Sequence, residues 1–271
     1  MIERKERVLI TGAAGEIGSA LRDHLIGRYA RLVLFDRVAM TARPGEIFKR
    51  GDLADSAAIA DAVTDIDVIV HLAGVPREDE WEPILKANIE GCYTLYEDAR
   101  KANVKRIVYA SSNHVIGFHR AERILDPSAE LRPDGRYGVS KVFGEALGRL
   151  YADKYGMSII NLRIGTYRDR PRTPREHAIW ISPRDMAELT RCAIEAPDDL
   201  RYAVFYGQSQ NAAARWRDDA AERIGYLPRD RAEDHPIDRP DPTEGAGPVA
   251  EIFHGGKTCA REFTGEPDRV D

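Results

Sequence analysis

The chain has 271 residues, 43% of them hydrophobic and 31% charged, with a net charge of −5. This length suits one large domain or a main domain with a smaller attachment, and the acidic balance argues against nucleic acid as the main partner. The start "MIERKERVLITG" shows no signal peptide, and no apolar run approaches the ~20 residues of a membrane span.

Cys92, Cys192 and Cys259 lie far apart with no metal-ligand spacing. They read as reduced structural thiols of a cytoplasmic protein with no metal site. In chain order, "RVLITG" (7–12) predicts a strand, and Ile17, Leu21 and Leu25 then recur at i+4 as a helix. "RLVLFD" (31–36) and "DVIVHLA" (67–73) predict further strands. Ile84, Leu85, Asn88, Ile89, Cys92 and Tyr96 form a second helical stripe before the strand "RIVYASS" (106–112). Phe143, Ala146, Leu147 and Leu150 form a third, before "SIINLRIG" (158–165).

Continuous runs of Val, Ile and Leu suit strands buried on both faces of a parallel sheet. Their alternation with helices predicts an α/β, Rossmann-type doubly wound sheet. After residue 165 the rhythm breaks. Ser182, Pro183 and Asp185 predict a capped helix start, "RYAVFYG" (201–207) one more strand, and the Pro-, Asp-, Arg- and Gly-dense stretch 228–248 a loop. The expected organisation is a dinucleotide-binding domain with the catalytic residues at 1–165. A small loop-rich C-terminal cap at 166–271 adds in part to the core sheet.

"TGAAGEIG" places Gly12, Gly15 and Gly18 between the first strand and the first helix, with Glu16 and Ile17 in the same turn. A backbone that approaches a pyrophosphate closely has no room for side chains, and a helix N-terminus supplies N–H donors and positive dipole. Asp36 ends the second strand, where a carboxylate accepts from ribose hydroxyls and repels a 2′-phosphate; this predicts NAD as cofactor, with Arg37 as an opposing charge.

Tyr137 and Lys141 stand at i, i+4 on one helix face. A phenol of pKa ~10 is a poor base at neutral pH, and a nearby ammonium is expected to lower it. Ser111 and Ser112 close the 106–112 strand at the carboxyl edge of the sheet, where a hydroxyl can hold the substrate oxygen while Tyr137 takes its proton.

With these residues the sequence resembles the extended short-chain dehydrogenase/reductase family through "TGAAGEIG", "GDLAD" (51–55), "HLAG" (71–74), "ASSNHVIG" (110–117) and "YGVSK" (137–141). The resemblance implies Ser112, Tyr137 and Lys141 as catalytic residues. It also implies Asp52 and Leu53 beside adenine, Ala73 and Gly74 against the cofactor, and Asn88 as a buried polar support.

Within that family "ASSNHVIGFH", "RPDGRYGVSK", "RIG", "YGQSQN" and "GGK" (255–257) resemble uronate dehydrogenases, which oxidise C1 of free hexuronates with NAD to the lactone. By that resemblance Ser112, Asn113 and His114 touch sugar hydroxyls, Arg175 pairs with the carboxylate, and Thr166 keeps a hydroxyl nearby. The partner is then a small anionic sugar, not nucleic acid or membrane. A homo-oligomer joined through helices at about 84–102 and 137–155 is also implied. Pro76 and Arg77 depart from the pattern and resemble halophilic archaeal NAD-dependent glucose-6-phosphate dehydrogenases. They leave phosphate or sulfonate as the alternative to carboxylate at C6. Arg163 reads as structural, and Arg168, Arg170 and Arg172 as part of a mobile lid.

Overall fold

A computed structural model describes residues 4–218, 220–237 and 247–270. Strands β1 (Arg4–Thr11), β2 (Tyr29–Asp36), β3 (Glu46–Arg50), β4 (Val68–His71), β5 (Arg106–Ser112), β6 (Ser158–Ile164) and β9 (Tyr202–Gly207) form one sheet in the order β3-β2-β1-β4-β5-β6-β9. All its pairings are parallel. The C-terminal strand therefore joins the core sheet at its edge.

Period-two geometry splits the apolar strand runs between two cores. Val8, Ile10, Leu32, Leu34, Val70 and Val108 face one side, with helices α1 (Glu16–Leu25) and α7 (Pro183–Ile194). Leu9, Val33, Ile69, Ile107 and Ile159 face the other, with α2 (Ser56–Ala62), α4 (Gly91–Lys101) and α5 (Arg136–Tyr155). Both faces being covered is why the strands read as unbroken apolar runs. Among the described residues no helix is long and apolar enough to cross a membrane.

Strand β3 escapes the sequence reading because it is an edge strand, "EIFKR", half exposed and charged at its end. The third helical stripe holds only in part: Leu147 is buried and Phe143 packs against the core. Ala146 and Leu150 point to solvent, and beside Leu147 the helix α5 buries Tyr137, Gly138, Ser140, Lys141, Gly144 and Glu145. Gly144 packs on Tyr109 and Gly148 on Ile159, so this helix approaches the sheet on glycines and polar groups that hydrophobic periodicity does not register.

Ser182 caps α7 as expected, its Oγ accepting from Asp185 N at 3.0 Å. Asp185 does not reach back to close the box. Its carboxylate accepts from Ser209 Oγ and from the N–H groups of Arg229 and Asp230. Of the stretch 228–248, residues 238–246 lie outside the described residues; the part before it contains only a 3₁₀ turn at Ala232–Asp234, and helix α8 (Pro248–Ile252) follows. The rest of the C-terminal third is short: β7 (Thr166–Tyr167), α6 (Pro174–Ile179), β8 (Trp180–Ile181) and α9 (Lys257–Ala260).

Candidate active site

Strand order reverses between β1 and β4, and a cleft of about 970 Å³ opens at their carboxyl ends. The glycine turn forms its floor. Gly12 has φ +72°, and a Cβ there would lie 2.7 Å from Ala73 N; one on Gly18 would lie 2.4 Å from Gly12 O. Helix α1 begins at Gly15 with no side-chain cap, so its first N–H groups remain available to an anion in the cleft. Asp36 shapes the same turn. Its two oxygens accept from Ala14 N and Val38 N, each at 2.9 Å, and each oxygen keeps a second lone pair. Arg37 leans to the surface, 4.0 Å from Asp52. A close, side-chain-free cradle at a helix N-terminus, with a carboxylate at the end of β2, fits a dinucleotide without a 2′-phosphate.

All the candidate residues line this one cleft: Gly12, Gly15, Glu16, Ile17, Gly18, Asp36, Asp52, Leu53, Ala73, Gly74, Arg77, Ser112, Asn113, His114, Tyr137, Lys141, Thr166 and Arg175. Ser111 lines the cleft too, but its hydroxyl turns to Glu145 Oε1 at 2.6 Å. The buried Glu145 also accepts from Nε and Nη2 of Arg163, at 2.9 and 2.8 Å. This leaves Ser112, whose hydroxyl hydrogen-bonds Tyr137, facing the cleft beside that residue. Glu145 was missed in the sequence. An arginine inside an apolar strand needs a buried carboxylate, and Glu145, four residues beyond Lys141 on one helix face, was the available signal.

Burial pushes the Tyr137 hydroxyl up to about 12, against the hydrogen bond with Ser112 that holds it down and with the Asp134 charge adding to the rise. Burial also pushes the Lys141 ammonium down to about 8. Burial thus raises the phenol where a nearby ammonium was expected to lower it; the Lys141 ammonium donates to Ala110 O at 2.8 Å and lies 5.5 Å from the Tyr137 ring centre. Asn88, in a π-helical segment (Leu85–Glu90), accepts from Val75 N and donates to Val75 O and Ser140 Oγ. It is the buried support that the resemblance implied.

Opposite these groups, Arg175 of α6 donates from Nε and Nη2 to the carbonyl of His254, at 2.9 and 2.7 Å. With its amide oriented to satisfy both neighbours, Asn113 donates to Ile164 O at 3.2 Å and accepts from Arg175 Nη2 at 3.3 Å. The "GGK" turn explains itself here: Gly256, at φ +63°, leaves only 2.7 Å between a Cβ and Arg175 Nε. His114 Nδ1 meets the buried Asp134 Oδ2 at 2.8 Å.

The loop expected as a mobile lid is tied to its surroundings in this arrangement. Glu176 is buried, pairs with Arg168 at 2.8 Å and accepts from Arg172 N at 2.6 Å, while Trp180 donates to Arg168 O at 2.7 Å. The loop is pinned. Arg170 stays exposed outside the cleft, as does Arg215.

The sequence profile of the NAD dependent epimerase/dehydratase family matches residues 8–168. The chain belongs to that family. It is 40% identical to a uronate dehydrogenase of Pseudomonas putida, over 84% of this chain and 85% of that one. It is 34% identical to an NAD-dependent glucose-6-phosphate dehydrogenase of Haloferax volcanii, over 85% and 98%. Its fold superimposes with TM-score 0.87 on a tyrosine-to-alanine mutant of uronate dehydrogenase from Agrobacterium tumefaciens complexed with NAD, at 38% identity, covering 94% of this chain and 97% of that one.

Proposed function

We propose that the protein oxidises C1 of a free hexuronate to the aldonolactone with NAD. The observation that carries this reading is that Arg175, anchored on His254, shares one cleft with Ser112, Tyr137 and Lys141. NAD, when bound, supplies the hydride acceptor. The chain's own residues do the rest. Tyr137 takes the proton of the C1 hydroxyl, Ser112 holds the same oxygen, and the Lys141 ammonium favours the phenolate once a bound cofactor adds positive charge. Asn113, His114 and Thr166 contact sugar hydroxyls, and Arg175 fixes the C6 carboxylate.

The glycine turn, Asp36, Asp52, Leu53, Ala73 and Gly74 hold the dinucleotide within residues 1–165, and 166–271 supplies the substrate cap. Exposed Tyr93, Leu150 and Tyr155 on α4 and α5 support association of copies through those helices. Sedimentation tests that part.

A second reading, phosphate or sulfonate at C6, is favoured by Arg77. It lies exposed on the cleft wall and makes no ion pair among the described residues. Reduced-cofactor absorbance with galacturonate, glucuronate, glucose 6-phosphate and 6-sulfoquinovose at equal concentration decides between them. A uronate should lead. Turnover with none of the four overturns both readings.

A further inference from the structure

One loop, the segment 74–78 between β4 and α3 (Trp81–Ile84), reaches the Tyr137 backbone from two sides: Glu78 binds its N–H directly, and Val75 is linked to its carbonyl through Asn88 and Ser140. At one end of the loop Asn88 binds Val75 N and O, at 2.7 and 3.0 Å, and donates to Ser140 Oγ, which donates to Tyr137 O at 2.7 Å. At the other end the Glu78 carboxylate accepts from Tyr137 N at 2.8 Å and Arg136 N at 3.1 Å. Between the two ends, Pro76 and Arg77 face the cleft.

Helix α5 has no cap of its own. Its N-cap is Gly135, and no side chain there can accept from the first turn. A Cβ on Gly135 would lie 2.4 Å from Glu78 Oε2, so glycine is the residue that admits this carboxylate. Glu78 is nearly buried, its side chain 10% exposed, and the Arg136 guanidinium at 3.3 Å compensates its charge. A carboxylate at a helix N-terminus is favoured by the exposed N–H groups and by the dipole. Here it comes from a different element, one that also walls the substrate cleft.

We infer that Glu78 is a positioning residue for Tyr137, capping the catalytic helix from the loop that faces the substrate. The inference rests on Tyr137 being the base. Its consequence is that the height of the Tyr137 hydroxyl over C1 is set by the cleft loop, so changes at Glu78 act on the chemical step and not on cofactor capture.

The test uses the full chain with NAD. Glu78→Gln keeps one acceptor oxygen but puts an amide against N–H donors, and Gly135→Ala pushes the carboxylate aside without changing its charge. Each should lower kcat by about tenfold or more, the scale of an ångström-level misplacement. The KM for NAD should stay within about twofold. Glu262→Ala removes only the outer ion pair of Arg136 and should leave both constants unchanged. Amide hydrogen exchange at residues 136–138 should speed up in Glu78→Gln and in Gly135→Ala, and not in Glu262→Ala.

If kcat in Glu78→Gln stays within about twofold of the parent, the positioning role is overturned. It is equally overturned if kcat falls with exchange at 136–138 unchanged, or if affinity for NAD falls in step with kcat. Amide exchange reads the cap without substrate, so a protein that turns over no anionic hexose but shows the exchange pattern would discard the proposed substrate and keep the cap.

Discussion

His114 Nδ1 and Asp134 Oδ2 lie 2.8 Å apart, and the Asp134 side chain has no solvent exposure. The walls around that carboxylate are glycines: a Cβ at Gly117 or Gly255 would fall within 2 Å of Oδ2. Its other oxygen, Oδ1, has no hydrogen-bond partner among the described residues. The pair fixes the imidazole so that its Nδ1 edge is spent inward and the opposite edge is presented to the cleft, where the ring stands T-shaped against Tyr137 at 5.8 Å.

Replacing Asp134 by alanine should therefore release the ring. The KM for the sugar should rise by about tenfold, the loss of one to two kcal/mol of oriented hydrogen bonding, with the KM for NAD unchanged. Steady-state kinetics with each substrate varied separately check this; an equal rise in both would assign Asp134 to the fold alone.

Tyr137→Phe keeps the ring and its contacts and removes the proton acceptor, so turnover should fall by ~10²–10⁴ while NAD still binds. With its hydroxyl pushed up to about 12, Tyr137 should stay protonated through neutral pH in the cofactor-free protein. Ultraviolet difference titration of parent against Tyr137→Phe should show no tyrosinate signal from this residue below pH 10.

Lys141 gives a stability prediction with a definite sign. Its ammonium is pushed down to about 8 in the fold, from an ordinary value of 10.5, so the native state disfavours the charged form. Below pH 8 both states are protonated and the group destabilises the fold; between pH 8 and 10.5 the unfolded chain binds more protons, and stability rises with pH. Lys141→Met should abolish turnover yet gain ~2 kcal/mol at pH 7, after an offset for the lost bond to Ala110 O. Denaturant melts at several pH values test it: the gain should shrink above pH 8 and vanish past 10.5.

Arg175→Ala should lower kcat/KM for the true anionic substrate by ~30-fold or more, since truncating a buried charged partner costs about 2–5 kcal/mol. Gly256→Ala is the subtler version. It brings a methyl 2.7 Å from Nε without removing charge, and should raise sugar KM with kcat little changed. A uronate enzyme should depend mainly on Arg175; strong loss in Arg77→Ala would move the reading to phosphate or sulfonate.

Asp36 should make NAD the preferred acceptor, and Asp36→Ala should narrow the gap to NADP while loosening the turn it holds through Ala14 N. Parallel kcat/KM measurements with both cofactors check this. A parent protein preferring NADP tenfold, about 1.4 kcal/mol, would remove the assignment.

Read residue by residue, the sequence by itself determined the parallel core, the glycine turn and the Tyr137–Lys141 face. Each rests on a local rule: continuous apolar runs, small residues between strand and helix, and i, i+4 spacing. What only the tertiary structure decided are choices between equivalent neighbours and long-range partners. Ser111 and Ser112 are adjacent and alike until the sheet turns one to Glu145 and the other to Tyr137. Five arginines crowd residues 163–175, and only packing divides them: Arg163 to Glu145, Arg168 to Glu176, Arg175 to His254. The direction of the Tyr137 and Lys141 shifts also depended on burial, which no local spacing encodes. Glu78 and Asp134 are ordinary acids in sequence. Their part in the site follows from the fold, which brings Glu78 to the uncapped first turn of α5 and Asp134 to the His114 ring, each across twenty or more residues of chain.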